Sequence, residues 1–156
     1  MSRYNDLLAG RDPLPVMREN VQAVQEMTRE WDAARFNRPW APGKWTGRQV
    51  IAHLAHTELA LGYRARMALS TPGYAAQKFD QNDWIARETI VTGPEAVAAF
   101  AAMSRLNAAL FEGLSAADRG VSMSHPEFGS ITVDWIIYLL AGHQIHHIAQ
   151  LQSLRS

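Results

Sequence analysis

The chain has 156 residues, a length that buries a sizeable core as one domain over residues 1–156 without help from disulfides. Its 15 basic and 15 acidic side chains cancel, so it carries no electrostatic footprint for nucleic acid or an anionic membrane surface. There is no cysteine, which excludes disulfides and a cysteine nucleophile and leaves only nitrogen and oxygen to hold a metal. No apolar run reaches the roughly 20 residues of a membrane span. The start Met1-Ser2-Arg3-Tyr4-Asn5-Asp6 lacks an apolar signal segment, so the expected location is cytoplasmic.

The first predicted helix opens at Asp12-Pro13, an N-cap followed by proline at the first helical position, and runs through Val16, Val21, Val24 and Met27 to about Arg35. Residues 37–43, rich in proline and glycine, break it. The second begins with the capping-box pattern Thr46-Gly47-Arg48-Gln49, carries Val50, Leu54, Leu61 and Met67, and stops at Ser70-Thr71-Pro72-Gly73. The third starts at a second capping box, Thr92-Gly93-Pro94-Glu95, and presents Val97, Phe100, Met103, Leu106, Leu110 and Phe111 before Gly113. The fourth follows Thr132, with Asp134 in its first turn, and runs to the C-terminus.

Four such helices, with no convincing alternating strand, predict an all-α four-helix bundle. Residues 71–91 and 114–131 form connections longer than the roughly 2–8 residues usual in bundles, and long loops tend to carry function. Phe79, Trp84, His125 and Phe128 in these loops predict ordered packing over one end of the bundle. The fourth helix also carries Tyr138, Ala141, Ile145 and Ala149 on the side away from its main apolar stripe, which predicts a homodimer.

That stripe is the most informative feature. Ile136, Leu140, His143, His147, Gln150 and Leu154 share one face at helical spacing and should point into the core. Two imidazoles one turn apart on a buried face can reach one cation. Hydrogen-bonded core histidines would show the same spacing. His146 lies about 80° off the seam and is expected to flank it. On the second helix, His53 shares the side of Val50, Thr57 and Leu61, while His56 lies about 60° away, and spacing leaves both open as a third ligand. Glu58 projects toward another part of that helix, and no carboxylate-rich helix pair exists, which argues against a di-iron bundle.

Four blocks in order resemble the DinB superfamily, within it the YfiT-like or bacillithiol-transferase-like branch of metal-dependent four-helix proteins. They are Arg38-Pro39 through Gly43-Lys44-Trp45-Thr46-Gly47 to His53-Leu54-Ala55; Phe79-Asp80-Gln81-Asn82-Asp83-Trp84; His125-Pro126-Glu127-Phe128-Gly129; and His143-x-x-x-His147. The resemblance implies His53, His143 and His147 as ligands of one divalent ion, zinc or nickel, with the remaining position left to water or a substrate thiolate. It thereby chooses His53 over His56. It implies a small-molecule substrate, with a low-molecular-weight thiol among the expected ones, and either thiol transfer or hydrolysis as the reaction. The rival expectation is a non-catalytic metal or small-ligand binding protein. Asp80, Trp84, His125, His146 and Gln150 are candidates for holding an imidazole's outer nitrogen or lining the pocket.

Overall fold

A computed structural model describes residues 4–154; Met1-Ser2-Arg3 of the N-terminal stretch and the last two positions assigned to the fourth helix lie outside the described residues. Four long helices build the body: α1 (Pro13–Thr28), α3 (Gly47–Ser70), α5 (Gly93–Glu112) and α7 (Val133–Gln152). Short helices α2 (Ala33–Phe36), α4 (Gln81–Arg87) and α6 (Ala116–Arg119) sit in the connections, and a 3-10 turn spans Asn5–Leu8. Both capping boxes form: Thr46 with Gln49 opens α3, and Thr92 with Glu95 opens α5.

Three boundaries differ from the sequence reading. The first helix ends at Thr28, whose Oγ1 donates to the Val24 carbonyl at 2.8 Å. Asp32 then caps a separate turn, accepting from the Arg35 amide at 2.8 Å. Aspartate offers the backbone amides a partner outside the helical ladder, and here that competition ends one helix and starts another. The fourth helix stops at Gln152, where Ser153 Oγ donates to the Gln150 carbonyl at 2.7 Å. The third connection contains a hairpin, β1 (Ser122–His125) with β2 (Gly129–Thr132), pairing Ser122 with Thr132 and His125 with Gly129. Four-residue strands are too short for alternation to register, and Gly129, at φ 70°, makes the return.

α3 packs on α5 and α7, and α1 packs on α7 and α5. Around the bundle the order is therefore α1, α7, α3, α5. Chain neighbours α1 and α3, and likewise α5 and α7, stand diagonally opposed, so the connections between them must cross an end of the bundle. Residues 74–76 pair with the hairpin through Ala76 N to Ser124 O at 2.9 Å and Ser124 N to Tyr74 O at 3.2 Å. That joint binds the second and third connections into one structure over an end of α3 and α7.

The core divides into two apolar halves. One holds Met17, Leu61, Phe111, Ile136 and Leu140; the other holds Val24, Leu54, Phe100 and Leu151. Between them each long helix contributes a buried polar residue: Asn20, Glu58, Ser104 with Asn107, and Gln144. The far side of α7 is largely covered within the chain. Ala141 is buried, Tyr138 and Ile145 pack against the core, and Ala149 is exposed. The N-terminal turn lies across α7 so closely that a Cβ on Gly142 would strike the Tyr4 carbonyl. The apolar face that suggested a homodimer is thus mostly covered within the chain.

Candidate metal centre

α3 and α7 are neighbours, and their facing stripes bring His53, His143 and His147 together. One nitrogen from each ring lies within 4.8 Å of the others. His143 Nε2 is 3.1 Å from His53 Nε2 and 3.0 Å from His147 Nε2. All three residues are buried. Burial, helped by neighbouring imidazoles, pushes His53 down to about 3, and burial pushes His147 down to about 4 although Gln150 opposes it. The His53 and His147 rings are therefore neutral near pH 7, the form that binds a metal.

The proton positions are constrained by partners. His147 Nδ1–H donates to Gln150 Oε1 at 2.7 Å, which leaves Nε2 as a lone pair aimed into the cluster. Gln150 Nε2 in turn donates to His146 Nε2 at 3.3 Å. Trp45 packs its ring 4.9 Å from that of His53, and Tyr4 meets His143 edge-on at 5.3 Å. His53 Nδ1 is buried without a hydrogen-bond partner in the protein. Three converging Nε2 atoms, one with its lone pair fixed inward, form a donor set that fits one divalent ion.

The other sequence candidates divide. Gln150 and His146 reach the trio as just described. His56 is buried but turned away, with Nε2 3.2 Å from Glu88 Oε1, and Trp84 packs edge-on against His56 at 5.3 Å. Asp80 does not hold an imidazole: Oδ1 accepts from the amides of Asn82 at 2.8 Å and Asp83 at 3.1 Å, capping α4. The backbone of α4 outcompetes a distant ring because its amides need a cap. His125 accepts the Glu127 amide at Nδ1 at 3.1 Å and stacks on Phe128, anchoring the hairpin. Burial, then the Arg64 charge, lowers its pKa against the pull of Glu127.

A cavity of about 860 Å³ opens beside the trio, with His53 and His143 on its wall and Phe79, Asp80, His125 and Phe128 from the two long connections over it. A second, of about 340 Å³, lies on the side of Trp40, Trp45 and Gln150, and His143 borders both. The sequence reading missed Arg64, Lys78 and Glu127 on the larger wall. Arg64 was findable: it continues the α3 stripe of His53, Thr57 and Leu61 at helical spacing.

A diagonally crossed four-helix bundle with a three-histidine cluster at the mouth of a cavity defines the class of protein. Residues 17–151 match the profile of the DinB superfamily, and the chain belongs to that family. A relative from Oceanobacillus iheyensis, named as a candidate metal-dependent hydrolase, is 30% identical over 113 residues, which cover 72% of this chain and 66% of that protein. A similarly named protein of Bacillus licheniformis is 25% identical over 142 residues, covering 89% of this chain and 81% of its own length. The solved structure of YfiT from Bacillus subtilis, described as a probable metal-dependent hydrolase of unusual four-helix bundle topology, superposes with a TM-score of 0.84. It is 22% identical, and the match covers 91% of this chain and 83% of that one. Among the described residues no helix is long and apolar enough to cross a membrane.

Proposed function

We propose that His53, His143 and His147 hold one divalent ion, zinc or nickel, and that the chain is a metal-dependent enzyme acting on a small molecule. The observation that carries this reading is the convergence of three buried imidazoles beside a cavity of about 860 Å³. A structural site would be closed by a fourth protein ligand, whereas a catalytic site leaves a position that substrate can reach. A bound divalent ion supplies Lewis acidity and an acidified water or thiol. The protein's own contribution is orientation: Gln150 sets the His147 tautomer, while Trp45 and Tyr4 fix the planes of His53 and His143. Phe79 and Phe128 over the cavity exclude water from a bound substrate.

The names of the relatives speak for hydrolysis, and the resemblance in the four sequence blocks keeps transfer of a small thiol as the alternative reaction. Zinc-loaded and metal-free protein should be compared on a p-nitrophenyl ester and on a small thiol with 1-chloro-2,4-dinitrobenzene. Turnover of either that needs zinc and vanishes in His147→Ala supports the reading and chooses the reaction. One tightly held ion with neither activity favours a non-catalytic binder. The homodimer keeps one support, the exposed Leu59 and Tyr63 on α3 beside Leu106 on the adjoining α5. Light scattering at high micromolar concentration should give twice the mass of one chain; a monomer removes the dimer.

A further inference from the structure

Arg64 is only 7% exposed, yet it lines the same cavity as His53 and His143. Its guanidinium donates to the Gln77 carbonyl and rests 5.8 Å from the centre of the Phe79 ring. Among the described residues no carboxylate lies within ion-pair distance of it, although the more exposed Arg11, Arg18, Arg87 and Arg119 each face one. A buried guanidinium has five donors and a desolvation cost that only an anion offsets well. Of the acids on the cavity wall, Glu127 is exposed on the hairpin turn and attracts Arg64 without reaching ion-pair distance, and Asp80 is committed to capping α4. Lys78, also on the cavity wall, adds a second positive charge.

Arg64 stands about 16 Å beyond His53 along α3 at ~1.5 Å per residue, and its guanidinium, held by the Gln77 carbonyl and the Phe79 ring, lies at the other end of the cavity the two residues share. We propose that Arg64 is the anchor for a carboxylate on the substrate, which makes the substrate a small molecule with its reacting group at the histidine end and an anionic group at the other. This rests on the metal-dependent reading above for the reacting end only. Planar, two-pronged recognition of a carboxylate is what a guanidinium provides and an ammonium does not.

The test uses 6-mercaptohexanoate and 6-mercaptohexanamide, which differ only in charge at one end. Their affinities are measured by calorimetry on zinc-loaded protein and by NMR titration on metal-free protein. Wild type should prefer the acid at least tenfold in both states, and Arg64→Gln should reduce that preference below twofold, with Arg64→Lys between. Equal affinity for acid and amide in wild type overturns the proposal, as does a preference that survives in folded Arg64→Gln or is abolished instead by Lys78→Ala. If Arg64→Gln does not fold, the Arg64 side-chain Nε–H resonance of wild type decides: the acid should shift it and the amide should not, and the reverse or no shift overturns the proposal. Failure to bind zinc would sink the metal site alone, because the acid preference of metal-free protein is read independently.

Discussion

Two buried polar clusters bridge α3 and α7, and they solve the burial of polar atoms in opposite ways. Glu58 is five residues beyond His53, and Gln144 is the residue after His143, so the two clusters share the same helices but face different directions. In the Glu58 cluster the partners close on themselves. Glu58 Oε1 accepts from Gln144 Nε2 at 2.5 Å, and Oε2 from Asn107 Nδ2 at 2.7 Å. Gln144 also reaches Ser104 at 3.1 Å and accepts from Asn20 at 3.1 Å, which ties all four long helices. In the histidine cluster the Nε2 atoms converge on one another beside an open cavity. A closed network serves the fold, by making register between helices specific. An open one serves a ligand.

The sharpest break between the two should come from metal. His147→Ala is expected to take zinc from one equivalent to none while His146→Ala retains it, measured on dialysed protein by elemental analysis; equal loss would show that the wrong imidazole was chosen. In the closed cluster the loss should appear in stability instead. Gln144→Leu strips the Glu58 carboxyl of its 2.5 Å partner, and we expect a loss of about 1–3 kcal/mol in denaturant unfolding of metal-free protein, the usual result of orphaning a buried polar group. A loss below about 1 kcal/mol would mean the network contributes nothing specific.

The closed cluster also has a signature in pH. Burial pushes the Glu58 carboxyl up to about 7 from an ordinary 4.5, with the bonds from Asn107, Gln144 and Ser104 pulling the other way. The folded protein therefore holds this proton more tightly than the unfolded chain. Its contribution is full below pH 4.5 and is lost as pH rises through about 7, a fall of about 3 kcal/mol. Glu58→Gln should flatten that fall between pH 5 and 8; an unchanged slope would place the titration elsewhere. The smallest effect should be Gln150→Ala, which frees the His147 tautomer and should weaken zinc binding about 10–100-fold with little change in the stability of metal-free protein. Competition with a chromophoric chelator reads the first quantity and thermal unfolding the second.

Much of this was legible before the fold was known, and for a local reason. Capping boxes at Thr46 and Thr92 lie within four residues of chain, and the α7 stripe from Ile136 to Gln150 needs only the helical repeat. The hairpin at 122–132 escaped notice because each strand supplies four residues. Periodicity also could not separate His53 from His56, since both side chains are buried and differ only in which helix faces them. Asp80 could be placed near the site but not given its job, which depended on the amides of Asn82 and Asp83 being closer than any ring.

What the chain by itself determined is the set of helices, their caps and the face of α7 that carries paired imidazoles, because each follows from interactions within a turn or two of backbone. Only the tertiary structure decided the ring order α1, α7, α3, α5. That order sets α3 beside α7, brings His53 to the other two histidines, seals Glu58 among partners 49 and 86 residues away and lays both connections over the cavity. These are contacts between distant segments, and no local pattern encodes which helix a buried side chain will meet.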